Sequence, residues 1–325
     1  MVNDMKNIDV TALGELLIDF TENGISENGN PLLEANPGGA PCNVLAMLQK
    51  LGKKTAFIGK VGNDNFGHML SDTIIHCGIS ADGLVFDDTV RTTLAFVHKR
   101  ADGDRDFSFY REPGADMMLS PSDVNADIIK SSKIFHFGTL SMTHENNKAA
   151  TVYAVETAKK NGIAVSFDPN LREPLWKSLD DAKSAMGYGF SVCDILKISD
   201  NEIEFFTGEK DIDKGVETIR REYDIKIVLA TMGRNGSKAY CGDSAVSMPA
   251  YVNSDVVDTT GAGDTFMGCA LAYVCDNDIC LNNEQLSEML DTANAAASIV
   301  TGRRGALKVM PESSEIDTLK KHSAE

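Results

Sequence analysis

The chain has 325 residues, with 48 acidic against 31 basic side chains and a formal net charge of −17. That balance disfavours a broad electrostatic grip on nucleic acid, which needs a basic footprint larger than the short run Gly302-Arg303-Arg304-Gly305. A hydrophobic fraction of 42% beside 24% charged residues is that of an ordinary globular protein and argues against disorder.

No apolar stretch approaches the ~20 residues that a membrane span requires, so no membrane partner is expected. The opening MVNDMKNIDV has no apolar signal core. The seven cysteines, Cys42, Cys77, Cys193, Cys241, Cys269, Cys275 and Cys280, are odd in number and scattered. They are expected to be reduced, buried thiols in a cytoplasmic protein.

In chain order, residues 15–20 form an apolar run that leads into a polar loop over 21–30. Helical spacing follows at 42–51, a strand at 56–61, and a second helix at 66–77. Residues 91–99 and 107–111 have the pattern of two strands around a turn at 100–106. From there strand and helix alternate: strand 134–137, helix 147–161, strands 163–167 and 195–198, helix 213–222 and strand 225–231. Gly52, Gly78 and Gly162 fall at helix ends, where left-handed caps are expected. The alternation predicts an α/β fold with a mainly parallel sheet covered by helices on both faces. Ligands of such sheets bind at the carboxyl ends of the strands. The pieces around 15–30 and 91–111 break the rhythm and predict a small antiparallel sheet, read either as an edge hairpin or as a lid. The tail after Pro311 predicts an amphipathic or frayed end.

Asp258-Thr259-Thr260-Gly261-Ala262-Gly263-Asp264 precedes a run of small apolar residues with helical spacing. Glycines before a helix let backbone N–H groups approach an anion, and the helix N-terminus adds partial positive charge. Asp264 has two readings: a favoured N-cap, or a general base beside an anion hole for a transferring phosphoryl group. A second glycine pair, Gly38-Gly39, precedes the helix at 42–51. Asn43 there either caps the helix or bonds a ligand hydroxyl.

These segments carry a resemblance to the ribokinase-like, PfkB-type carbohydrate kinases. The 258–264 segment is similar to that family's C-terminal motif, and Gly38, Gly39 and Asn43 to its N-terminal one. Further ordered similarities are Gly59 to Gly67, Asn201-Glu202-Ile203-Glu204, and Thr231-Met232-Gly233-Arg234-Asn235-Gly236. Residues 109–119, 167–176 and 294–306 are similar to the fructokinase subgroup. The resemblance spans nearly the whole chain and implies one kinase domain over 1–325, with a β-sheet lid from about 20–34 and 91–111 that also serves as a homodimer contact.

The resemblance also implies roles. Asp264 is the base, and Gly261, Ala262 and Gly263 are the anion hole. Asp19, Gly38, Gly39, Asn43 and Arg172 line the sugar site, with Phe107 and Phe109 covering it from the lid. Lys197, Asn201, Thr231, Gly233, Gly236 and Asn294 border ATP. Glu204 holds Mg²⁺ through water. Asp258 and Thr260, with the 303–305 loop, hold a monovalent cation, K⁺. The implied reaction is ATP-dependent phosphorylation of fructose. A 2-keto-3-deoxygluconate kinase or another PfkB-type sugar kinase is an alternative, and Arg111 and Arg172 offer positive groups for an acidic substrate. A non-catalytic sugar or nucleotide sensor on the same fold is an alternative of another class, disfavoured by the intact base and anion hole. No P-loop pattern occurs, Gly261-Ala262-Gly263 lacks the third glycine of a dinucleotide fingerprint, and His144-Glu145 lacks the second histidine of a zinc protease.

Overall fold

The computed structural model describes the backbone of residues 6–99 and 105–322, and side chains at 6–97 and 108–322. The chain begins with β1 (Ile8–Leu13), then leaves the core as a hairpin of β2 (Leu17–Ile25) and β3 (Pro31–Gly38). It returns through α1 (Ala40–Lys50), β4 (Thr55–Gly62), α2 (Asn65–His76) and β5 (Ser80–Asp87). A second excursion forms β6 (Leu94–Lys99) and β7 (Arg105–Tyr110). The strand–helix repeat continues with α3 (Ala126–Lys130), β8 (Ser132–Gly138), α4 (Glu145–Lys160), β9 (Ala164–Asp168) and α5 (Leu179–Val192). Then come β10 (Ile195–Ser199), α6 (Asp200–Thr207), α7 (Ile212–Glu222) and β11 (Ile227–Thr231). A hairpin of β12 (Ser237–Cys241) and β13 (Ser244–Met248) leads to α8 (Ala262–Asp276), α9 (Asn283–Thr301) and α10 (Ser313–His322).

Among the described residues, nine strands form the main sheet, in the order β13-β12-β11-β10-β9-β8-β1-β4-β5. It is parallel from β11 to β5, with β12 and β13 antiparallel at one edge. Strand alternation sends Val10, Ala12, Ile134 and Ile195 to the core under α1, α8 and α9. Leu13, Phe135, Phe137, Phe167 and Leu196 go to the opposite core under α4 and α5. There Phe137 and Phe167 lie 4.8 Å apart, and Phe167 meets Phe190 of α5 at 6.0 Å. Burying each ring stabilises the fold by roughly 1.5–3 kcal/mol. No helix among the described residues is long and apolar enough to cross a membrane.

The second sheet has the order β3-β2-β6-β7. It is mixed rather than antiparallel throughout: β2 pairs antiparallel with β3 but parallel with β6. The expected polar loop at 21–30 is shorter than its composition suggests. β2 runs on to Ile25, because pairing with β3 satisfies its backbone while its polar side chains face water. Phe20 stacks on Phe96 at 5.0 Å and meets Phe66 of α2 edge-on at 5.6 Å, which fastens the small sheet to a core helix. Of the expected turn at 100–106, residues 100–104 lie outside the described residues.

Gly52, Gly78 and Gly162 take positive φ at helix ends, as expected. The cysteines are all free thiols, but Cys280 is exposed and Cys77 and Cys275 are half-buried, so the expectation of uniform burial is corrected. The tail is a docked helix rather than a frayed end. Ile316 of α10 is buried, Arg303 pairs with Glu315, and Lys320 Nζ lies 3.0 Å from Asp291 Oδ2 of α9.

Candidate active site

The parallel strands end along one edge, and the N-termini of α1 and α8 converge there. Gly261 is the N-cap of α8 with φ 79°, a left-handed conformation, and a Cβ on it would lie 2.8 Å from Ala306 Cβ. Glycine meets both demands at little cost. Asp264 is therefore not the cap. It is the third residue of the helix, buried, and its Oδ2 accepts a 2.8 Å hydrogen bond from Asn43 Nδ2. Burial pushes the Asp264 carboxyl up, while the Asn43 bond and the charges of Lys197 and Arg172 oppose the rise.

Asn43 sits in the first turn of α1 and caps nothing. Its Oδ1 is buried without a hydrogen-bond partner among the described residues. A buried amide oxygen left so is costly, and a ligand hydroxyl would satisfy it. Gly39, the N-cap of α1, has φ 133°, and a Cβ there would lie 2.4 Å from Glu15 O. Beside it, Ala40 N–H donates to Glu15 Oε1 at 2.8 Å. Asp19 of β2 lies over Gly38, where a Cβ would be 2.5 Å from Asp19 Oδ2. Burial pushes the Asp19 carboxyl up to about 7; Arg172 opposes the rise, and Asp258 and Asp264 add to it. Asp19, Gly38, Gly39, Asn43 and Asp264 thus form one cluster.

Arg172 follows β9 and is exposed, with its Nη1 donating to Leu171 O at 3.1 Å. Its charge is felt by both Asp19 and Asp264. It makes no ion pair with Glu173 or Asp168 among the described residues. Asp168 instead meets Lys197, whose Nζ lies 3.0 Å from Asp168 Oδ2. Arg111 is not available to a ligand. It is buried and pairs with Asp116 Oδ2 at 2.6 Å, and it donates to Thr143 Oγ1 and Leu140 O.

Asn201 and Glu204 are exposed on α6, and Glu204 lies 3.6 Å from Lys210 Nζ. The buried carboxylate of that helix is Glu202, which caps α6 with Ser199 and accepts from Leu171 N–H at 2.8 Å. Thr231 ends β11, and the turn holding Gly233 and Gly236 is closed by Met232 N–H to Gly236 O at 2.9 Å. Asn294 of α9 is engaged at both ends of its amide, by Ser237 Oγ at 2.9 Å and Pro249 O at 3.1 Å.

Asp258 is buried, and its Oδ1 accepts from Thr260 N–H at 2.7 Å. Val257 and Asp258 N–H both donate to Thr301 O, which draws this segment against the end of α9 and the 303–305 loop. Arg303 is used within the protein, by Val309 O and Glu315, and Arg304 reaches Asn23 Oδ1 of β2 at 3.2 Å. No cluster of three or more His, Cys, Asp or Glu capable of holding a metal occurs among the described residues. Phe109 is half-buried on β7, whereas the side chain of Phe107 lies outside the described residues.

Three buried groups at the site escaped the motif reading: Glu15, His136 and Asp168. With Asp264 they line one cavity of about 10 Å³, about the room of one water. Burial holds Glu15 up at about 7 and His136 down at about 3. A polar residue ending an apolar strand run was the available signal for Asp168.

Fructokinase-2 of Solanum lycopersicum is 42% identical to this chain over 318 residues, 97% of each. A crystal structure of the fructokinase from Xylella fastidiosa with bound ATP superposes with a TM-score of 0.89 at 29% identity, covering 99% of this chain and 100% of that one. A double mutant of the Vibrio cholerae O395 fructokinase, in a fructose-, ADP- and potassium-bound form, gives 0.86 at 27% identity over 96% and 98% of the two chains. Residues 7–313 match the pfkB family of carbohydrate kinases, and the chain belongs to that family.

Proposed function

We propose that this protein is an ATP-dependent fructokinase that converts fructose and ATP into fructose 6-phosphate and ADP. The observation that carries the mechanism is the buried Asp264 carboxylate beside the glycine-rich N-terminus of α8, held by Asn43. Asp19, Asn43 and the backbone at Gly38 and Gly39 bind the sugar hydroxyls, and Arg172 adds positive charge at the rim. Phe109 covers the sugar from the lid sheet, which excludes water that would otherwise hydrolyse ATP.

Asp264 accepts the proton of the 6-hydroxyl as its oxygen forms a bond to the γ-phosphorus and the bond to the ADP oxygen breaks. Gly261 and Gly263 present N–H groups to the charge on the transferring phosphoryl, and Ala262, whose N–H donates to Thr259 O at 3.3 Å, completes the turn that holds them. Lys197, Thr231, Gly233 and Gly236 border the nucleotide, and Asn294 holds β12 and the segment after β13 in place behind it. Asn201 and Glu204 would hold Mg²⁺ through water, and the ion when bound would offset phosphate charge. Asp258, Thr260 and the 303–305 carbonyls are the K⁺ site, an assignment supported by the buried Asp258 carboxylate and by the potassium-bound relative.

Fructose is favoured over an acidic sugar because, of the two arginines an acidic substrate was expected to use, Arg111 is consumed by Asp116. We place the enzyme in the cytoplasm, and as a dimer through the small sheet. Ile25, Leu33 and Tyr110 on that sheet are 69%, 47% and 67% exposed, apolar surface that suits a second copy.

The test is ADP release with fructose, ribose, 2-keto-3-deoxygluconate or no acceptor, with Asp264→Asn alongside. Fructose-dependent turnover that falls more than about a hundredfold in the variant supports the assignment. Preference for the keto-deoxy acid moves the substrate, and no turnover with any acceptor overturns the kinase reading.

A further inference from the structure

Strand alternation explains why a polar group collects under α8. Ser166 and Asp168 of β9 point to the same sheet face, and His136 of β8 pairs in register with Ser166. Its Nδ1 lies 2.9 Å from Ser166 Oγ. Leu196 pairs with Phe167, so the next step along both strands sets Lys197 opposite Asp168. This is the face on which Ala12, Ile195 and Leu229 build the apolar core under α1, α8 and α9. A buried charged pair there is not explained by stability, since well-packed apolar residues usually do as well.

The pair has a direction. Lys197 Nζ lies 3.0 Å from Asp168 Oδ2 and 3.2 Å from Oδ1, and Oδ1 also accepts from Asn170 N–H at 3.1 Å. The ammonium lies beside Gly263, where a Cβ would be 3.0 Å from Nζ. Asp168 is thus fixed from the turn after β9, and it holds Lys197 against the second glycine of the anion hole. The buried Asp168, Glu202 and Asp264 all act on the Lys197 charge.

We propose that Asp168 is a positioning residue for phosphoryl transfer, holding the Lys197 ammonium beside Gly263 so that the anion hole carries a full positive charge in addition to its backbone N–H groups. This rests on the kinase reading above and deepens it. Lys197 touches the γ-phosphoryl oxygens, Asp168 acts only through Lys197, and neither gains nor loses a proton or a bond during transfer. The groups facing Lys197 are Asp168 of β9, Glu202 of α6, Asp264 of α8 and His136 of β8. Burial works against the Lys197 charge, but the carboxylates outweigh it and hold its pKa above the ordinary lysine value.

The test compares wild type, Asp168→Asn, Asp168→Glu, Lys197→Met and the Asp168→Asn/Lys197→Met double variant. Calorimetry measures binding of ADP and of adenylyl imidodiphosphate, a γ-phosphate-bearing ATP analogue. Asp168→Asn is expected to weaken the analogue at least tenfold while ADP stays within threefold. It is also expected to lower kcat with fructose at least thirtyfold, with the fructose KM within threefold. Its activity is expected to fall as pH rises towards 9, because Lys197 without its partner loses its proton, whereas wild type and Lys197→Met lack that limb. The double variant is expected to lie within threefold of Lys197→Met, and Asp168→Glu to recover part of kcat. Equal losses for ADP and the analogue, multiplicative losses in the double variant, or a pH profile parallel to wild type overturn the proposal. If Asp168→Asn does not fold, Asp168→Glu and Lys197→Met decide the binding comparison. If wild type does not turn over fructose, the substrate reading fails, while the ADP-against-analogue difference still tests the role of Asp168.

Discussion

Asn43 and Asp264 are 221 residues apart in sequence and are joined by a 2.8 Å hydrogen bond from the Asn43 amide to the Asp264 carboxylate. The bond ties the first turn of α1 to the first turn of α8, and it stabilises the charged form of the proposed base against burial. The two glycine-led helix starts thereby become one site.

Activity should fall on the acid side as Asp264 takes up a proton, at a pH above the ordinary carboxylate range. Asn43→Leu removes a bond that favours the ionised form, so the pKa rises further and the acid limb moves to higher pH. A shift of at least about half a unit in the kcat/KM profile is expected. An unmoved limb means that Asp264 is not the titrating group.

Gly261→Ala places a side chain on a left-handed residue, at a cost of about 1–2 kcal/mol. It also drives a Cβ to 2.8 Å from Ala306. The helix start must shift, so kcat should drop by at least tenfold while the circular dichroism spectrum stays that of the wild type. A fully active, fully stable variant would show that the N-cap geometry is not used.

Arg111→Ala leaves Asp116 buried without its cation. Such a loss costs about 3–5 kcal/mol, which should appear as a lower midpoint in urea. The preference among sugar acceptors should not change, because Arg111 faces Asp116 and Leu140 rather than the sugar site. Altered preference would return Arg111 to the pocket.

Glu15 is buried and held up at about 7 in the folded protein, whereas an unfolded glutamate titrates near about 4.3. The unfolded chain therefore loses this proton first. The folded state becomes less favoured as pH rises from about 4.3 to about 7, by about 4 kcal/mol when complete. Glu15→Gln removes that term, so relative to wild type it should be more stable at pH 8 than at pH 5 by urea titration. Asp19 shifts in the same direction, and the comparison of wild type with variant cancels its share.

Much of the core was legible along the chain. The strands at 56–61, 134–137, 163–167, 195–198 and 225–231 all appear, within two residues, because apolar runs with β-branched residues have few other ways to be buried. Residues 21–25 are polar and belong to a strand only through pairing with β3, so nothing local marks them as one. Arg111 offered a charge in the right neighbourhood, and nothing local announced that Asp116 would consume it. The glycine block from Gly59 to Gly67 is set by close packing: a Cβ on Gly67 would lie 1.9 Å from Gly62 O.

By itself, the sequence determined the α/β alternation, the two glycine-led helix starts and the residue types that phosphoryl transfer needs, because hydrophobic period and backbone freedom are local properties. Only the tertiary structure decided that Asp264 is bonded by Asn43 rather than capping its helix, and that Lys197 lies between Asp168 and Gly263. Those facts depend on the order and register of parallel strands, which join residues far apart in the chain and leave no periodic trace in it.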